Sequence, residues 1–278
     1  MDTSLESPAR AALAANAWQA FARGVAVLWR RQLRGMLSSP SELGGALAMP
    51  ILWMVLFGLC MGQTVTDPAR TGGIGYIAFI TPGVMLLSAL TAAAMAGATL
   101  LLDRLSGALK LYLIAPIPHA AVLAGLLSSA LTKAVGQGAL VLLMGLLLGA
   151  RLATAAPDLL LALALLCAFT AGFAGLAAAF AGRVRTMEGY HGLIMLLNLP
   201  MLFISNALYP LDAMPPVIRT LAYFNPTTYA IDALRHLLFG APAAIGLLPD
   251  SGALLAFATL GMVYSRRRFA RTVRQLTT

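Results

Sequence analysis

The run Leu159–Ala181, LLLALALLCAFTAGFAGLAAAFA, holds twenty-three residues without a charge. About 20 apolar residues cross the hydrocarbon core of a bilayer as one helix, so this segment by itself predicts a transmembrane span. Three comparable stretches precede it: Leu43–Gly62 with Pro50 inside, Tyr76–Leu102 with Pro82 near its start, and Ala121–Gly149, interrupted by Lys133. Two follow. Tyr190–Tyr209 carries Pro200 near its middle, and in the last stretch Pro249 and Asp250 leave only Ser251–Tyr264 clean. That sixth span must borrow from Ile245–Leu248 or cross a thinned bilayer. Interior prolines are tolerated where neighbouring helices re-satisfy the backbone.

The whole-chain composition agrees. Of 278 residues, 60% are apolar and 10% charged, against about 25% charged in soluble domains. A soluble fold needs a polar exterior that this chain does not have, so a soluble globular enzyme is excluded, and so is a disordered chain. Cys60 and Cys167 lie in separate apolar runs and offer neither a disulfide framework nor a metal spacing.

Orientation follows from the basic residues. With both termini in the cytoplasm, fourteen of the nineteen Lys and Arg lie inside: Arg10, Arg23, Arg30, Arg31 and Arg34 in the N-terminal segment, Arg104 and Lys110 in the loop between spans two and three, Arg183 and Arg185 between four and five, and Arg266, Arg267, Arg268, Arg271 and Arg274 in the tail. Arg70, Arg151, Arg219 and Arg235 lie outside and Lys133 within a span. The net charge of +9 is thus explained by topology rather than by nucleic-acid binding. No cleavable signal peptide is expected, because the first apolar run starts late, behind an arginine-rich segment.

Three segments lie outside the spans. Trp18–Leu37 reads as an amphipathic interfacial helix: at 100° per residue, Arg23, Arg30 and Arg34 gather on one face, and Trp18, Phe21, Val25, Leu28, Trp29 and Met36 on the reverse. It serves either as an anchor before the first span or also as a contact for a cytosolic partner. The loop Asp103–Pro118, DRLSGALKLYLIAPIP, predicts a short cytosolic helix that Asp103 can cap and Pro116 and Pro118 end. It rests on the bilayer or needs another surface to pack on. Pro210–Gly240 does not read as one span. Pro215-Pro216 starts one short helix, and Asn225 with Pro226 starts another, about Thr227–Phe239, on which Asp232 and Arg235 form an i,i+3 pair. The predicted arrangement is a re-entrant or interfacial hairpin in the outer leaflet, lining a pathway or plugging the fold. Within the spans the polar residues are few: Lys133, Asn198, Ser205, Asn206, Thr91 and Thr99. Asn198 and Ser205 stand seven apart, on one face, where interhelical hydrogen bonds are expected.

Catalytic chemistry is not legible. His119, His191 and His236 stand apart, no H-E-x-x-H or G-x-S-x-G occurs, and no carboxylate pair is expected within a span. No catalytic residue and no metal ligand set is assigned. The two lysines, Lys110 and Lys133, follow Leu109 and Thr132, so no Gly-Lys-Ser/Thr phosphate loop exists. Uphill transport by this chain would draw on a partner chain or on a membrane gradient.

Four segments carry a family resemblance. Asp103–Pro118 resembles the loop between spans two and three of ABC-2 type transporter permeases. Phe203–Pro215 (FISNALYPLDAMP), then Phe224–Arg235 (FNPTTYAIDALR), resembles the signature after their fifth span, and Ile80–Leu86 (ITPGVML) the start of their second. Order and spacing match over about residues 20–270, nearest to the daunorubicin-resistance and nodulation-factor-export permeases. The resemblance implies an all-α membrane protein of six transmembrane helices, with residues 1–40 forming a cytosolic N-terminus with its amphipathic helix and residues 41–278 the transmembrane domain, ending in a basic tail at 265–278. It implies a bacterial inner-membrane location and an exporter of a drug, lipid or other amphiphile that works with a second permease copy. ATP and Mg would bind a separate ATP-binding-cassette subunit and no cofactor this chain. Asp103, Arg104, Gly107, Leu109, Pro116 and Pro118 would form the coupling loop that docks on that subunit, and the hairpin with Pro210, Pro215, Asn225, Pro226, Asp232 and Arg235 the outer gate. Arg104-Leu105-Ser106 replaces the acidic residue that usually precedes the glycine, which puts one subunit contact in doubt. A gradient-driven channel or secondary carrier is the alternative.

Overall fold

The computed structural model describes residues 7–38, 40–62, 73–114 and 118–277, and among them all regular structure is helical. Ten α-helices follow in order: α1 Ser7–Leu37, α2 Pro40–Gly62, α3 Tyr76–Leu105, α4 Ala108–Ile114, α5 His119–Leu147, α6 Ala156–Ala181, α7 Met187–Phe203, α8 Pro216–Tyr223, α9 Pro226–Phe239 and α10 Leu247–Thr277. Among the described residues four helical stretches are long and apolar enough to cross a membrane: Tyr76–Leu105, His119–Leu147, Ala156–Ala181 and Leu247–Arg271. In α2 the described apolar stretch is Ala48–Gly58. The 17 residues of α7 rise about 26 Å, short of a ~30 Å core. The last helix does borrow residues: it starts at Leu247, and Pro249 falls in its first turn, where backbone N–H groups have no intrahelical acceptor to lose.

The middle of the bundle is α3, which packs on α2, α5, α6, α7 and α9. Its buried face includes Leu86, Leu90 and Leu101, and Phe169 and Phe173 of α6 fill the same core. Tyr190 of α7 is buried against it and donates from its hydroxyl to the Ala94 carbonyl at 2.7 Å. Small residues set the crossing of α6 and α10. A Cβ on Gly175 would lie 2.6 Å from the Gly261 carbonyl oxygen, and one on Gly261 would lie 2.9 Å from the Gly172 Cα. In hydrocarbon, such close backbone approach lets van der Waals packing hold two helices together where no hydrophobic effect drives them.

Two sequence expectations change here. Asp103 is not the cap of the loop helix: α3 runs through to Leu105, so Asp103 is buried in its last turn. The break comes at Gly107, whose φ of +80° is open to glycine at little cost, and α4 starts after it. Asn198 and Ser205 form no interhelical pair either. Because α7 ends at Phe203, Ser205 lies past the helix; it donates to Leu202 O at 2.6 Å and accepts from Ala207 N–H at 3.3 Å. The Asn198 side-chain oxygen is buried and receives no hydrogen bond. Thr91 and Thr99 bond back to the carbonyls of Leu87 and Met95, and Lys133 is half-buried on α5.

Candidate functional site: a clamped loop helix and a locked hairpin

Two constellations stand at opposite ends of α3. At its C-terminal end, Arg31 of α1 donates to both Asp103 carboxylate oxygens, at 3.2 and 3.4 Å, and to the Tyr112 hydroxyl of α4. The hydrogen bond to Asp103 holds the Arg31 guanidinium above its ordinary range in spite of partial burial, while burial pushes the Tyr112 phenol up. Arg104, the next residue along α3, donates to the Val184 carbonyl between α6 and α7. Leu109 of α4 is 1% exposed. It lines a small cleft with Leu100, Arg104, Ala178, Ala181, Arg268 and Phe269, beneath the ends of α3, α6 and α10. One side of α4 is thus bolted to the bundle, while Leu105, Lys110 and Leu111 stay exposed.

The same end collects the N-terminal helix. Leu28 of α1 is buried, a Cβ on Gly125 of α5 would meet it at 2.8 Å, and the Trp29 indole donates to the Thr132 hydroxyl at 2.9 Å. The apolar face expected to meet headgroups is therefore partly taken by α5. Trp18 stays exposed and Phe21 half-buried, and Arg23, Arg30 and Arg34 face solvent. Between α1, α5 and α10 runs a mainly apolar groove of about 770 Å³, lined by Phe21, Leu123, Leu127, Met262 and Val263, with His119 and Arg266 on its wall.

At the other end, the hairpin is held by its polar residues. Asn225 caps α9 by accepting from Thr227 N–H at 3.0 Å, and its amide donates to the carbonyls of Met201 and Ile204 at 2.7 and 2.8 Å. Those two carbonyls are at the end of α7, where the helix can no longer use them. Arg235, 6% exposed, donates to Phe79 O at 3.0 and 3.2 Å and to Asn206 O at 2.7 Å, with its guanidinium carbon 3.7 Å from the Phe79 ring centre. Asp232, one turn earlier on α9, accepts from Ala244 and Ile245 N–H. Among the described residues, then, no ion pair joins Asp232 and Arg235: although they are one turn apart on α9, each has backbone partners within reach and each side chain takes its own. The Asn206 side-chain amide is buried and makes no hydrogen bond. Pro210, Pro215 and Pro226 lie at the segment's turns, ahead of the short 3-10 turn Leu211–Ala213 and at the starts of α8 and α9. Val217, Leu221 and Phe224 stay exposed on the outside.

Of the predicted loop residues, Asp103, Arg104, Gly107, Leu109 and Pro118 converge at the basic end, and Pro116 lies outside the described residues. Sequence reading missed Arg31 as a specific partner and missed Tyr112 and Val184 altogether. The available signal was that Asp103 is the lone acid in a loop facing an arginine-rich helix. It also missed a pair of acids. Asp250 at the start of α10 is buried against Asp232 of α9, a pair shared between a long apolar helix and the hairpin rather than held within one span.

A family model of the ABC-2 type transporter matches residues 23–239, covering both α4 and the hairpin. Nodulation protein J of Rhizobium leguminosarum bv. trifolii is 29% identical over 88% of this chain and 93% of its own. The daunorubicin resistance ABC transporter permease protein DrrB1 of Streptomyces coeruleorubidus is 26% identical over 87% of this chain and 86% of its own. The ycf38 protein of Porphyra purpurea is 30% identical over 76% and 69%. With the match running from the N-terminal helix to the end of the hairpin, the chain belongs to the ABC-2 type transporter family.

Proposed function

We propose that this chain is the transmembrane permease subunit of an ATP-binding-cassette exporter, which moves a drug, lipid or other amphiphile out of the cytoplasm. The observation that carries this reading is the state of α4. It is a seven-residue helix, too short to be stable alone, fixed on one side by Leu109, Tyr112 and the Arg31–Asp103 pair and bare on the other. A push on its exposed side is passed on to α3 and, through Arg104, to the α6–α7 turn. ATP and Mg belong to a separate subunit, since this chain has no phosphate loop, and two permease copies enclose the path.

In this reading α2 and α7 complete six spans, α7 with the residues that follow it. Residues 1–40 form the cytosolic N-terminus, residues 41–278 the transmembrane domain, and both termini face the cytoplasm of a bacterial inner membrane. The structure's gathering of Arg31, Arg104 and Arg268 at one end supports that orientation. The hairpin of residues 210–240 re-enters the outer leaflet and gates exit; α9, at about 21 Å, is too short to cross. The groove beside α5 and α10 suits an acyl chain or another apolar body with an acidic head near Arg266.

The test is to purify the chain with its ATP-binding-cassette partner in vesicles. Leu111→Glu and Lys110→Glu, both on the bare side of α4, are expected to cut permease-stimulated ATP hydrolysis and export together by tenfold or more. Unchanged rates in both variants would overturn the reading. The buried acid pair favours a second reading, a gradient-driven carrier, which predicts flux without any nucleotide-binding partner.

A further inference from the structure

Asp232 and Asp250 come from different helices and meet out of reach of solvent, at 2% and 0% exposure. The Asp232 carboxylate is already engaged, Oδ1 accepting from Ala244 N–H at 3.0 Å and Oδ2 from Ile245 N–H at 2.8 Å. The Asp250 carboxyl lies against it, and neither Asp250 oxygen receives a hydrogen bond. A buried carboxylate without a donor is strongly disfavoured, and a second negative charge beside it more so.

Among the described residues one cation stands near the pair, Arg235, and it makes no hydrogen bond to either acid. The elements packed on α10 are α6, α9 and α5, and α9 also packs on α3, α7 and α8, whose charged groups are Asp103 and Arg104 at the far end of α3, Glu188 and His191 at the start of α7, and Arg219, which donates to the Asp212 and Met214 carbonyls. On α9, Arg235 is spent on the Phe79 and Asn206 carbonyls and His236 bonds through Nδ1 with Ala241 O at 2.8 Å. On α6, Asp158 accepts from Ala155 N–H at 3.4 Å. The half of α5 at this end carries no charge, and Arg151 in the turn after it is exposed. A proton satisfies both acids at once: Asp250 as a carboxylic acid donates to Asp232, which has lone pairs left after its two backbone bonds.

We propose that Asp232 and Asp250 form a proton-binding site, in which one proton held on Asp250 and donated to Asp232 fastens α9 to the start of α10. The proton is taken from bulk water and returned to it, and no other bond forms or breaks. The consequence rests on the reading of residues 210–240 as the outer gate: losing the proton sets two negative charges side by side and loosens the hairpin from α10, so the gate holds at low pH and slackens as pH rises.

The test is infrared spectroscopy of the full-length permease in lipid vesicles, with neither ATPase nor cargo present. At neutral pH the wild-type chain is expected to show a carboxylic-acid C=O absorption that shifts in D2O and disappears as pH is raised. In Asp250→Asn that absorption is absent, while the amide N–H replaces the donor to Asp232 and keeps the hairpin in place. Should Asp250→Asn not reach the membrane, the wild-type titration decides alone. A wild-type spectrum with no protonated carboxyl at neutral pH would overturn the proposal. So would an absorption unchanged in Asp250→Asn, or one displaced by sodium or calcium at constant pH, which would make the pair a metal-cation site. Because nothing here depends on ATP, failure of this test leaves the export reading standing, and failure of the α4 variants leaves the proton site standing.

Discussion

Arg235 shows how a single cation is kept inside an apolar bundle. Burying it would be prohibitive unpaired, yet its partners are two carbonyls and the face of Phe79 rather than a carboxylate. The planar fork of guanidinium reaches both carbonyls at once, which a lysine cannot do. Arg235→Lys is therefore expected to lose about 2–3 kcal/mol, one or two charged hydrogen bonds, seen as a lower midpoint of thermal unfolding in detergent; an unchanged midpoint would count against this account. Arg31 is a different case. Its side chain is 51% exposed, so its ion pair contributes about 1 kcal/mol at most. Arg31→Gln should leave the unfolding midpoint nearly unchanged while lowering ATP-coupled export, because it releases Asp103 and Tyr112 from each other. Equal export by the variant and the wild type would remove the clamp from the mechanism.

At the scale of elements, the hairpin depends on Asn225. One side chain caps α9 and closes the end of α7, so Asn225→Ala forfeits a cap, about 0.5–2 kcal/mol, and two further hydrogen bonds at about 1 kcal/mol each. The expected result is a midpoint lowered by about 2–4 kcal/mol equivalent and faster proteolysis between residues 204 and 225. The α6/α10 crossing is equally specific: Gly261→Leu has no space beside the Gly172 backbone, and the variant is expected to lose stable membrane expression. This element scale is also where sequence was most legible. Proline and asparagine spacing placed the starts of α8 and α9, and apolar run length located α3, α5 and α6, because both are local signals. What stayed hidden depends on tertiary contact. Nothing local tells that Asp232 and Arg235 part company, that Asp103 belongs to α3, or that Asp250 meets Asp232 from another helix. The sixth stretch was blurred because Pro249 and Asp250 look like a break, and only the first-turn exemption for proline makes them a beginning.

Over the whole molecule, charge and chemistry divide the bundle. One end holds Arg31, Arg104 and Arg268 around a loop helix with a bare side; the other holds a hairpin whose polar groups are turned inward. In the proposed export cycle, force enters at the first end and the second responds, with α3 as the continuous link between them, since Asp103 near its C-terminus meets Arg31 and Phe79 near its N-terminus meets Arg235. The measurement that tests this most directly is the sidedness of α4. In a chain with Cys60→Ser and Cys167→Ser, a Lys110→Cys thiol is expected to resist a membrane-impermeant maleimide added to intact cells and to react once the cells are opened. Labelling from outside intact cells would put α4 on the wrong face and contradict the account.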